Sequence, residues 1–278
     1  MKIIQNIKKV TLGILGIIML SSGLWACSND NEIATPTKEE QSNKAGKAIE
    51  KSEVIRDAIQ NSKLHSLALD YAYTNLLNGN LNEQTPLNDI VSSAAGTIKQ
   101  YTEKDVNIDL VKEYLNVHCN NIENVFNQIE DVNDSTKDIN YIVNEISYLN
   151  SLQDNIIDLD ITSYLESDKF NGFTEKEFYN IAYIVTIYVD SYKYWSINSE
   201  KWQLLVAPST IQAKGGPIGR RIAFLANADS AGATGVMVGA LLTAATGVGA
   251  PVTAGELLTG AAASSIVAGL SPEYWSIR

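Results

Sequence analysis

Between Asp229 and Glu256 no residue carries a charge, and most side chains there are small. Residues 231–250 comprise six Ala, five Gly, three Thr and six larger apolar residues. Gly247, Gly249 and Pro251 break the run, and a second small-residue segment occupies residues 252–270. Glycine costs a helix about 1 kcal/mol relative to alanine, so a segment this rich in glycine is helical only where another surface packs against it. Gly235 and Gly239 form a GxxxG step, with Gly232 on nearly the same face. These three are the expected helix-packing residues. The reading is a close-packed helical hairpin over residues 222–270, entered through a basic hinge (207–221) containing Lys214-Gly215-Gly216-Pro217 and Arg220-Arg221.

Before the hinge the pattern is different. Across residues 45–206 the apolar spacing is that of amphipathic helices. Leu64, Leu67, Ala68, Tyr71, Ala72 and Leu76 mark one stripe. Leu87, Ile90, Val91, Ala94 and Ile98 mark a second, capped by Thr85 with Pro86 at the first helical position. Val111, Tyr114, Leu115, His118, Ile122, Val125, Phe126 and Ile129 form a third, and Ile139, Ile142, Val143 and Ile146 a fourth. Thr174 and Glu177 make a capping box, with Phe173 placed to staple onto Phe178. Residues 181–189 beyond it are apolar nearly all round, which requires a central position. No segment alternates with period two for long enough to suggest a strand. The expectation is an all-α chain: a helical bundle followed by a Gly/Ala-rich helical hairpin, with residues 271–278 as a short tail.

The composition is globular, with 45% hydrophobic and 19% charged residues among 278. A net charge of -11 argues against nucleic acid as a partner, because phosphate binding needs clustered Lys and Arg. The amino terminus reads as an export signal: Lys2, Lys8 and Lys9 precede an apolar run at 10–20, too short to span a bilayer core of about 30 Å. Ser21, Ser22 and Gly23 follow, then Leu24-Trp25-Ala26-Cys27. This ending resembles the lipobox of bacterial lipoprotein precursors. The resemblance implies cleavage after residue 26, a diacylglycerol on the Cys27 thiol, and a membrane as the partner of that residue. Two or three acyl chains, at about 0.8 kcal/mol per buried methylene, anchor firmly. Loss of residues 1–26 removes three lysines and no acid, which takes the net charge from -11 to -14. With Cys27 acylated, Cys119 has no partner in the chain for a disulfide. Ser28-Asn29-Asp30-Asn31-Glu32 resembles the surface-export signal of Bacteroidota lipoproteins, and residues 27–44 read as a flexible tether. The implied location is the cell envelope, at the outer membrane or the cell surface.

Residues able to do chemistry are few: two histidines and two cysteines. His118 lies on the third stripe with Cys119 beside it, but neighbouring helical residues point about 100° apart. A nucleophilic Cys–His pair is therefore disfavoured, and His118 reads as a core histidine. His65 flanks the first stripe, and neither histidine has the patterned ligands of a zinc site. Asp131-Val132-Asn133-Asp134-Ser135 opens like a calcium loop, but Thr136 stands where that loop needs Gly and Ile142 where it needs Glu. The glycines from Gly232 to Gly239 lack the preceding strand of a dinucleotide-binding loop. No catalytic residue, metal ligand or cofactor is assigned, and no enzymatic activity follows from the sequence.

The hairpin resembles a glycine zipper, in which absent side chains let helix backbones approach. Such a surface can dock on the bundle, join a second copy as a homo-oligomer, or enter lipid, where Glu256 would cost about 3 kcal/mol at mid-bilayer. The leading expectation is a lipid-anchored envelope protein with a non-enzymatic interaction or structural role, its protein partner unidentified. A second is a membrane-active or pore-forming, antibacterial protein. Its layout, a helical domain with an apolar hairpin near the end, is similar to that of pore-forming colicins. A cell-envelope hydrolase is a third, resting on location and abundant carboxylates.

Overall fold

A computed structural model of the chain describes residues 50–102, 106–118, 137–208, 218–245 and 252–275. Cys27 with the signal and tether, Cys119, the acidic turn at 131–135, residues 209–217 of the hinge and the break at 246–251 lie outside the described residues. The helices are α1 (Lys51–Leu77), α2 (Leu87–Thr102), α3 (Ile108–His118), α4 (Lys137–Leu152), α5 (Ile161–Glu166), α6 (Glu175–Val206), α7 (Ile218–Ala245), α8 (Ala254–Leu270) and the single turn α9 (Pro272–Trp275). Short 3₁₀ turns follow α4 and α5. No strand occurs among the described residues, so the fold is all-α, a helical bundle with the Gly/Ala-rich hairpin α7–α8.

Helix α1 buries Val54, Ile55, Ala58, Ser62, His65, Ala68, Leu69 and Ala72. Leu67 and Tyr71, read above as part of its apolar stripe, are 41% and 51% exposed. The inward face instead passes through Ser62 and His65, two polar residues that a search for apolar spacing skips. In α2 the expected face is the buried one, with Ile90, Val91, Ala94, Ala95 and Ile98 inward. Its start differs from expectation: the Pro86 carbonyl accepts from the backbone N–H groups of Asp89 and Ile90, while the Thr85 hydroxyl accepts from Asn82 N–H.

Helix α6 starts at the capping box. Thr174 Oγ1 accepts from Glu177 N–H, and Glu177 Oε2 accepts from Thr174 N–H at 2.7 Å. The Phe173 ring meets Tyr141 at 4.6 Å, and that of Phe178 meets Phe170 at 6.2 Å. Every residue from 180 to 189 is buried, the central placement that its unbroken apolar run demands. Helices α1 and α6 run parallel. Asn61 meets Tyr183, Ser66 meets Asp190, and Asp70 meets Tyr194, numbers rising together along both.

The most enclosed element is α8. It packs against α7, α2, α1, α6 and α3, and 16 of its 17 residues are buried. In the sequence the bundle and the hairpin read as successive segments; in the fold they share one core, within the compact unit Ile49–Arg278. All-round burial is tolerable because the hydroxyls turn back onto their own helices: Ser230 donates to Ala226 O, Thr234 to Ser230 O and Thr259 to Gly255 O. A second capping box, Thr253 with Glu256, opens α8. Glu256 is 6% exposed, and it accepts from the backbone N–H groups of Thr253 and Asn107. The carboxylate counted above as a membrane penalty thus serves as a helix cap joined to the start of α3.

Candidate functional site

Two features of the hairpin concentrate what is chemically distinctive in this molecule. The first is the seam between α7 and α8, which run antiparallel: Asp229 lies beside Ser265, and Gly232 beside Gly260 and Ser264. A Cβ at Gly232 would stand 2.2 Å from the Gly260 carbonyl oxygen and 2.4 Å from Ser264 Oγ. Gly235 is buried too, yet a Cβ there would meet nothing within 4 Å. Of the three expected packing glycines, Gly232 therefore makes the close approach. Its partner, Gly260, sits in the other arm, where spacing within one helix could not name it. Gly239 lies in α7, its surroundings outside the described residues.

The second feature is a buried polar cluster where α1, α6, α7 and α8 meet. His65 from α1 and Asp229 from α7 are both fully buried, with Nε2 and Oδ2 3.3 Å apart. The Ser191 hydroxyl on α6 donates to the same Asp229 oxygen. Trp195 Nε1, one turn further along α6, donates to Ser265 Oγ on α8 at 3.0 Å. Asp190 on α6 accepts from Ser66 at 2.6 Å and bears on the same imidazole through its charge.

The electrostatics follow from burial and pairing. Desolvation works to lower the pKa of His65, but the carboxylates of Asp229 and Asp190 outweigh it, and the imidazole lies above its ordinary value. Burial pushes the Asp229 carboxyl up, against the opposing pull of His65 and of hydrogen bonds from Ser265 and Trp195. Asp190 is raised by burial as well, opposed by Ser66, His65, Lys193 and Lys63. His, Asp and Ser are the residue types of a hydrolytic triad, but their connectivity here is different. In a triad the serine donates to the histidine; here Ser191 donates to the aspartate, and the imidazole is fully buried. This arrangement joins helices.

Apolar spacing puts His65 beside the first stripe; the structure puts it fully inside. Asp229 is the edge of the charge-free run. A carboxylate immediately before a buried Gly/Ala helix was the available signal, because an acid in such a setting must have a partner. His118 ends α3, its side chain outside the described residues. Among the described residues no group of three or more His, Cys, Asp or Glu side chains could hold a metal ion. A surface groove of about 480 Å³ lies between α1 and α5, floored by Ile55 and Ile59 and rimmed by Arg56, Lys63, Thr162 and Glu166. No family model, curated protein or solved structure matches the chain.

Proposed function

We propose that the chain is a lipid-anchored protein of the bacterial outer membrane or cell surface, held by acylated Cys27, with a non-enzymatic interaction or structural role. The observation that carries the non-enzymatic part is the use made of His65, Asp229 and Ser191. Among the described residues, the side chains best suited to acid–base chemistry are sealed at a junction of four helices, where they hold the hairpin to the bundle. The anchor rests on the order of basic start, apolar run, small residues and Leu24-Trp25-Ala26-Cys27. The outer faces of the helices are then the surfaces left for a partner.

One observation favours the second reading, a membrane-active protein. The hairpin arm α8 is buried on every face, mostly through small and apolar side chains, and sheathed by other helices, so a bilayer could take the place of that sheath. Against it, no described helix is long and apolar enough to cross a membrane.

Two measurements test the proposal. Metabolic labelling with palmitate should mark the wild-type protein and not Cys27→Ala; an unlabelled wild type would remove the anchor. Purified protein should leave dye inside vesicles of phosphatidylethanolamine and phosphatidylglycerol, and steady release at neutral pH would favour the membrane-active reading instead.

A further inference from the structure

We propose that the His65–Asp229 pair is a proton-held latch, which fixes the Gly/Ala hairpin against the surrounding helices and loosens it when the proton leaves. The pair bridges the two parts that would separate, His65 on α1 and Asp229 on the first arm of the hairpin. Neither ring nitrogen of His65 nor Oδ1 of Asp229 has an aligned hydrogen-bond partner. Charge, more than a hydrogen-bond network, therefore holds the pair. Both side chains are fully buried, so while the bundle is closed no solvent can replace a lost countercharge.

With one proton between them, imidazole and carboxyl are neutral as a pair. Its removal leaves the Asp229 carboxylate beside a neutral ring, with Asp190 nearby as a second negative charge. The groups facing the pair are of mixed sign and do not cancel this. From α6 come Asp190 with Lys193 and the Tyr194 phenol; from α1, Lys63, which acts on Asp190, and Asp70, which accepts from Tyr194; from α8, the neutral Ser265. Ser191 and the Ser265–Trp195 pair can stabilise a carboxylate by hydrogen bonding, but they bring no positive charge.

The sign follows directly. His65 holds its proton more tightly in the folded chain than a free imidazole does. The latch is therefore closed near neutral pH and weakens as pH rises through the folded value. This holds whether or not Cys27 is acylated, and whether or not the hairpin ever meets lipid.

Two measurements on the full chain decide it. In His118→Gln protein, where His65 is the one remaining histidine, ring NMR signals should titrate above the pH of a free imidazole. Amide exchange over residues 222–237, corrected for the intrinsic pH effect, should lose about tenfold in protection between pH 6.5 and 9, as local opening becomes easier. Asp229→Asn should flatten that loss. The latch is refuted by a His65 that titrates at or below a free imidazole, by wild-type protection constant over that range, or by an Asp229→Asn protein that keeps the full loss. Should Asp229→Asn fail to fold, the titration and the exchange of the unmodified pair still decide the matter.

Discussion

Gly232 and Gly260 face each other across the α7–α8 seam with no room for a side chain on either. A Cβ on Gly232 would stand 2.2 Å from the Gly260 carbonyl oxygen, and one on Gly260 2.8 Å from that of Gly232. The obstacle is backbone in both directions, so no rotamer change relieves it. Gly235, one turn away, has open space.

The pair of alanine variants should therefore separate. Gly232→Ala should destabilise by about 2 kcal/mol or more, as overpacking against rigid neighbours does. Gly235→Ala should be neutral or stabilising by up to about 1 kcal/mol, since alanine is the better helix former. Urea unfolding followed by circular dichroism measures both. Equal losses at the two sites would show that the seam is not where the structure puts it.

Three tryptophans gather at the far end of α8. Trp195 and Trp202 leave a Cβ on Gly269 only 3.0 and 3.2 Å, and Trp275 Nε1 donates to the Gly269 carbonyl at 2.9 Å. Trp275→Ala should cost about 3–5 kcal/mol, the usual range for deleting a buried indole. Trp275→Phe keeps a ring while losing the donor and should cost clearly less. Thermal unfolding ranks the two, and an alanine variant as stable as wild type would contradict the packing.

The second capping box predicts a smaller effect. Thr253→Ala removes the hydroxyl that accepts from Glu256 N–H and should cost about 1 kcal/mol. Thr174→Ala at the head of α6 should cost a similar amount. Glu256→Gln should cost at least as much, because one amide oxygen replaces the two carboxylate oxygens that accept from Asn107 and Thr253, and its NH2 group is turned on the remaining N–H. A stability scan of the three variants checks this order.

Lys169 should couple to Glu145. Its Nζ lies 2.7 Å from Glu145 Oε1 and 3.7 Å from the centre of the Tyr164 ring, and Glu145 is 6% exposed. Lys169→Met leaves that carboxylate buried without its cation and should cost about 2–3 kcal/mol. The double variant with Glu145→Gln should recover part of the loss. A double-mutant cycle reads the coupling, and simple additivity would rule it out.

Global stability should follow the buried cluster's sign. His65, Asp229 and Asp190 all sit above their ordinary values, so each binds its proton more tightly folded than unfolded. Their contribution is greatest on the acid side and is lost as pH rises through each folded value. Asp160 works in the opposite sense at the exposed start of α5: hydrogen bonds from Ser163 hold it low, so its contribution is lost as pH falls. Between pH 6.5 and 9 the urea midpoint should fall, and fall less in Asp229→Asn. A midpoint rising over that range would reverse the assignment.

Much of this architecture was legible beforehand, and the exceptions share a cause. Helix α6 was readable because Thr174 and Glu177 stand three apart and the run behind them is apolar on all sides. The hairpin was readable because so many glycines need a partner surface. The inward face of α1 was misread at Leu67 and Tyr71, because apolar spacing counts leucines and tyrosines and passes over Ser62 and His65. Thr253 and Glu256 have the same spacing, but in a run of small residues the lone charge of Glu256 is the stronger local signal and masks the second capping box. The His65–Asp229 contact joins residues 164 positions apart in the sequence, and no local pattern in either helix specifies it.

The position of α8 in the chain has a consequence for how the molecule is made. All its neighbours except the single turn α9 precede it, so during synthesis α1 to α7 emerge before the rod they are built around. Until residues 254–270 are released, the helices that line α8 have only partial surfaces to close upon. The pairings of α1 with α6 and of α6 with α7 can form first, and the helices that line α8 close fully only once residues 254–270 have joined them.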